Sequence, residues 1–126
     1  MTLLRVISAS AILDNGSRYD WWYNMPRGFP RLRTTNGALN RVGARVIERR
    51  AALDIGQDDL CAKLAEVTGG AWVADRRDIY RIERARRTVT DLELIALALA
   101  LNCEPHWLLM GQPEEPIDFQ KPDSGV

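Results

Sequence analysis

The run DRRDIYRIERARRTVTDLELIALALAL, residues 75–101, decides the fold. It contains two helix starts. Asp75 is a good N-cap residue, and Ile79 and Ile82 follow it three apart, on one helical face. Further on, Thr90 and Glu93 have the T-x-x-E spacing of a capping box. The DLELIALALAL that they open, residues 91–101, is apolar almost all round. Such a helix belongs at the centre of a bundle.

Helices also fit the chain on either side. RVGARVIERRAAL, residues 41–53, follows Asn40, another good N-cap, and puts Val42, Val46 and Leu53 on one face with Arg50. QDDLCAKLAEV, residues 57–67, carries Asp58 and Asp59 in its first turn, where the helix dipole favours acids. Its apolar stripe is Leu60, Leu64 and Val67, and the glycines of TGG stop it. PHWLLM, residues 105–110, has Pro at the first helical position and Gly111 at the stop. No strand pattern competes except an ambiguous LLRVISASAI near the N-terminus. The expected fold is all-α, a compact bundle of five helices with flexible termini.

The chain of 126 residues fits one domain with tails. Its formal net charge is zero, yet the charge is not even. Residues 25–55 hold seven basic and two acidic side chains, whereas residues 91–126 hold one and seven. Between them, residues 75–91 contain six arginines and no lysine. On the third helix Arg76, Arg77, Tyr80 and Arg81 lie largely opposite Ile79 and Ile82, and Arg84, Arg86 and Arg87 follow. Arginine can donate two parallel hydrogen bonds to a guanine edge or a phosphate, and a helix fits the major groove of B-DNA. A solvated face laced with salt bridges, such as Asp78 with Arg81, explains the same composition. Composition leaves both readings open.

Several chemistries find little support. Cys61 and Cys103 form no CxxC pair, which points to a reduced, cytoplasmic setting. With His106 they make a poor set of metal ligands. Cys103 and His106 sit on one turn with no evident orienting acid. No phosphate-binding or dinucleotide glycine pattern occurs. We therefore expect no enzyme, no metal and no cofactor. The apolar N-terminal run is too short for a membrane span or an ordinary signal peptide.

The order of motifs carries more than the charge. RVGARVIERRAALDIGQDDLCAKLAEV followed by DRRDIYRIERARRTVTDLELIALALALNCEPHWLLMG resembles the Cro/CI-type (XRE-like) helix-turn-helix domain of phage repressors and bacterial regulators. The resemblance spans residues 41–111. It implies a sequence-specific DNA-binding transcriptional regulator that binds duplex DNA as a homodimer. By position, it implies that Arg76, Arg77, Tyr80 and Arg81 read bases and that Gln57, Arg84, Arg86 and Arg87 hold phosphates. It makes Arg50 and Glu83 a structural salt bridge, and Cys61 the small residue where the second and third helices cross. Two positions depart from the family pattern. Ala85 stands where the family commonly has Gly. The turn TGGAWVAD, of eight residues, is lengthened relative to the compact form of only a few; there Trp72 reads as a loop anchor, with Val73 packing beside it.

The expected organisation is an irregular N-terminal segment or arm over residues 1–39, the helix-turn-helix domain over 40–111, and a disordered, acidic, Pro-rich tail over 112–126. The YDWWYN run is either a partner or membrane-interface patch, an element folded on the domain, or sequence upstream of a true start at Met25. Arg27, Arg31 and Arg33 form either a basic arm along DNA or a frayed tail. The alternative function is a protein-binding helical module, such as an antitoxin or adapter.

Overall fold

A computed structural model of the chain describes residues 32–121. The YDWWYN run, Arg27 and Arg31 lie outside the described residues. Five helices follow in order: α1 Gly43–Leu53, α2 Gln57–Val67, α3 Arg76–Glu83, α4 Asp91–Leu101 and α5 Pro105–Met110. Among the described residues the only extended pairing is an isolated antiparallel bridge between Thr34 and Phe119. No helix there is long and apolar enough to cross a membrane.

The helix starts show their causes. Asp75 accepts from the Asp78 N–H at 2.8 Å, and the Asp78 carboxylate accepts in return from the Asp75 N–H. Thr90 and Glu93 make the same reciprocal pair at 3.1 Å each. Asp59 accepts from the Gly56 N–H and so closes the start of α2. α1 begins two residues later than the Asn40 signal suggests, because residues 41 and 42 form a bend. Asn40 still satisfies the start, since its Oδ1 accepts from the N–H groups of Val42 and Gly43.

α4 packs against α1, α2 and α5, and α3 packs against α1 and α2. The core comprises Val42 and Val46 of the α1 region, Leu60 and Leu64 of α2, Ile79 and Ile82 of α3, Leu97 and Leu101 of α4, and Leu108 of α5. α3 has only eight residues, too few to be stable alone. Burial of its two isoleucines, worth about 1.5–3 kcal/mol each, holds it.

α4 is central but not buried all round. Ala96, Leu97, Ala98, Ala100 and Leu101 are buried, whereas Leu92, Ile95 and Leu99 are 75%, 48% and 61% exposed. Their spacings of three and four put those three on one outer stripe. Composition alone could not separate the two faces, because both are apolar.

The lengthened turn is tied down from within. Thr68 donates its hydroxyl to the Leu64 carbonyl and accepts from the Trp72 N–H. Gly69 and Gly70 take positive φ, as a tight helix stop requires. Trp72 packs against the core as expected, but Val73 points outward and is 76% exposed. An eight-residue link leaves room for one side chain to reach the core without its neighbour.

Composition makes residues 112–126 a disordered tail. Within the described part, however, the chain turns back along the domain. Glu115 N–H donates to the Met110 carbonyl, Thr35 N–H to the Asp118 carbonyl, and Gln120 N–H to the Arg33 carbonyl. The Glu115 carboxylate also meets Arg45 at 3.3 Å. Backbone bonds to residues 33–35, the ion pair of Glu115 with Arg45 and the contact of Glu114 with His106 give this acidic stretch its partners.

The basic excess before residue 55 has a structural outlet. Arg41, Arg45 and Arg49 recur every fourth residue, Arg41 just before α1 and the other two on it. Arg49 donates to the carbonyls of Leu101 and Asn102, at the end of α4. Arg45 donates to Leu108 and Leu109, and Arg41 to Leu109, at the end of α5. The last carbonyls of a helix lack internal partners and carry its negative pole, so cations suit them.

Candidate nucleic-acid interface

α3 buries Ile79, Ile82 and Glu83 and turns its arginines outward. Arg77, Arg81, Arg84 and Arg86 are exposed, and none has a carboxylate within ion-pair distance among the described residues. Tyr80 is 42% exposed, with the Arg84 guanidinium 5.3 Å from its ring centroid. That cation–π contact fixes Arg84 without neutralising it.

Arg76 is different. Its guanidinium meets Asp58 at the start of α2 through two hydrogen bonds, of 2.7 and 3.2 Å. The hydrogen bond and the charge of Arg76 hold the Asp58 carboxyl below the usual aspartate range. The suggested pair of Asp78 with Arg81 does not form. Arg87 turns back to Glu93 at 2.8 Å, with its Nη1 buried and without a partner. Its geometry supports the link between α3 and α4 more than an outer surface.

Beneath the arginine face lies a polar hub. Arg50 Nε and Nη2 donate to the two oxygens of Glu83, at 2.6 and 3.2 Å. Arg50 Nη1 donates to the Ile55 carbonyl, and Gln57 Nε2 donates to Glu83 Oε1 at 2.9 Å. The pairing that the resemblance implied for Arg50 and Glu83 is therefore present, and Gln57 joins it. Gln57 sits at the first position of α2 and stays half-buried. Its side-chain oxygen and second amide proton remain available while it braces α3.

The end of α3 is held by two features. Asn40 Nδ2 donates to the carbonyls of Ile82 and Arg87. Gly43 meets the same end so closely that a Cβ there would lie 2.5 Å from the Ile82 oxygen. Only glycine allows that approach. Ala85 has φ of 58°, the left-handed conformation that glycine normally supplies after a helix. The departure at Ala85 thus changes the residue and keeps the backbone shape.

Cys61 lies half-buried on α2 against the core. Burial, and then the nearby Asp58, Asp75 and Asp78, push its thiol up. Burial likewise raises the Cys103 thiol, and His106 Nε2 lies 2.6 Å from Glu114 Oε2. Among the described residues no three His, Cys, Asp or Glu side chains gather into a cation site.

The sequence motifs do not mark Asp58 as the partner of Arg76, Asn40 as the clamp on α3, or the role of Arg41, Arg45 and Arg49. A spacing of four was the available signal for the last group. The other two depend on contacts between distant segments.

No family model matches the chain, and no curated protein matches it. Among solved structures, the crystal structure of the restriction-modification controller protein C.AhdI from Aeromonas hydrophila is similar, at 32% sequence identity. The match covers 56% of this chain and 96% of that one, with a TM-score of 0.44.

Proposed function

Because this chain belongs to the Cro/CI-type helix-turn-helix family, we propose that it is a DNA-binding transcriptional regulator that lays α3 in the major groove of duplex DNA. One observation carries the finer part of this reading. Arg77 and Arg81 project from the outer face of α3, unpaired among the described residues, while its inner face is fixed in the core. Unpaired guanidinium groups on a rigid helix can donate to guanine O6 and N7 at little entropic cost.

The roles then divide by position. Arg77 and Arg81 read base edges. Arg76 joins them when the duplex competes for the hydrogen bonds that Asp58 holds. Tyr80 contacts a thymine methyl or the backbone. Gln57, at the positive end of α2, donates to a phosphate while remaining braced by Glu83. Arg84 and Arg86 grip the backbone beside the groove, and Arg87 supports them from the turn. Phosphate contacts set register and base contacts set sequence.

A second copy of the chain completes the binding unit in this account. Paired half-sites need a two-fold protein, and a two-fold interface is self-complementary. The exposed stripe of Leu92, Ile95 and Leu99 supports that arrangement as a surface that excludes water when two α4 helices meet. The designation of C.AhdI as a restriction-modification controller suggests the setting, which is control of the genes of such a system.

The test is selection of bound sequences from a random duplex pool, followed by Arg77→Ala. A selected motif with two-fold symmetry, relaxed at one base pair per half-site in the variant, supports the reading. Recovery of no motif, together with stoichiometric capture of one protein, favours the protein-binding alternative.

A further inference from the structure

A cleft of about 440 Å³ opens beside the end of α3. Three arginines line it: Arg84 and Arg86 from just past the helix, and Arg33 from the segment that precedes α1. No acidic side chain lines it. Resting on the duplex reading above, we propose that this cleft binds one backbone phosphate of duplex DNA next to the groove that α3 enters, with Arg33 as its third cation.

Arg33 is the informative member. Arg84 and Arg86 lie beyond the negative pole of α3, which favours cations whether or not an anion is bound. Arg33 has no such reason to be there. Its guanidinium donates to the Gly37 carbonyl at 3.1 Å, which orients it and leaves its charge unneutralised. Its backbone is held by the Gln120 N–H at 2.8 Å, and Thr35 by the Asp118 carbonyl at 2.9 Å. The segment after α5 thus pins the segment before α1. Leu39 N–H donates to the Ala85 carbonyl at 3.0 Å and fixes the other end of this stretch against α3.

The remaining lining fits an anion. Asn36 uses its side-chain oxygen internally, accepting from the Ala38 N–H, and its amide NH₂ has no partner among the described residues. The adjoining cleft is mixed in charge instead, with Glu83, Glu115 and Asp118 beside Arg41, Arg45 and Arg84. Glu83 and Glu115 are already committed to Arg50 and Arg45.

The experiment measures binding of the full chain to a labelled random-sequence duplex by anisotropy across a salt series. On B-DNA each neutralised phosphate contributes about 0.9 to the slope of log K against log salt. Arg33→Ala is expected to reduce that slope by about one phosphate's worth and to leave the selected base preference unchanged. Arg33→Lys is expected to keep the slope. If the wild-type chain binds and Arg33→Ala keeps its full slope, the cleft holds no phosphate and only this inference falls. A shift in base preference in Arg33→Ala also overturns it, because the arm would then read bases. If the wild-type chain fails to bind duplex even at low salt, the duplex reading falls and takes this inference with it.

Discussion

Arg50 on α1 and Glu83 on α3 form a two-point ion pair, at 2.6 and 3.2 Å, in which the Glu83 side chain is 4% exposed and that of Arg50 is 18% exposed. It lies directly under the face that carries Arg77 and Arg81. Removing Arg50 leaves a buried carboxylate with only Gln57 to answer it. Arg50→Ala is expected to lower stability by about 3–5 kcal/mol, the usual cost of orphaning a buried charge. Urea unfolding checks this, and Arg50→Met combined with Glu83→Leu should recover part of the loss.

Ala85 holds a left-handed conformation that costs an L-residue about 1–2 kcal/mol. Ala85→Gly relieves it but adds freedom to the unfolded chain. The expected net is a gain of about 0.5–1 kcal/mol, seen as a higher urea midpoint with an unchanged m-value. DNA affinity should be unaltered, because the backbone shape is already that of glycine.

Gly43 predicts the opposite sign. A Cβ there meets the backbone carbonyls of Ile82 and Glu83, which cannot move as a flexible side chain would. Gly43→Ala should cost about 1–3 kcal/mol and should loosen the seat of α3. Protection of the α3 amides in hydrogen exchange reads the second effect directly.

The acid response has a named source. Burial raises the pKa of Glu93, but the hydrogen bond from Arg87, then those from Thr90 and the Arg87 charge, outweigh it, so the net shift is downward. A carboxyl lowered in the folded state stabilises above its unfolded pKa, and that share is lost as pH falls through the folded value. Wild type and Glu93→Gln should therefore differ in stability at neutral pH and converge at acid pH, below the ordinary glutamate range. Thermal unfolding at a series of pH values checks the convergence.

The exposed stripe on α4 gives an assembly prediction. Leu99 is 61% exposed, so Leu99→Glu should fold normally and sediment as a monomer at concentrations where wild type is a dimer. Its affinity for a two-half-site duplex should fall while its affinity for a single half-site is kept.

Sequence order made most of the fold legible, and particular residues show why. The capping pairs at Asp75 and Thr90 act within four residues, so they mark α3 and α4 without any knowledge of packing. The bounds of α2, α4 and α5 follow from such local signals and from Pro105. The pairing of Arg50 with Glu83 follows from the family resemblance alone, since residues 33 apart show no local sign of contact. What stayed hidden is non-local: the turn of Arg87 toward Glu93, the hold of Asp58 on Arg76, and the pinning of Arg33 by Gln120. The outer stripe of α4 stayed hidden because Leu92 and Leu97 look alike until the neighbours are placed.

The most direct measurement is the binding of the full chain and of Arg77→Ala to random duplex DNA at several salt concentrations. The account predicts wild-type binding that weakens steeply with salt, and a loss of about 1–3 kcal/mol for Arg77→Ala on the selected site. Absence of wild-type binding at low salt, or equal binding by Arg77→Ala on that site, would contradict the placement of α3 in the major groove.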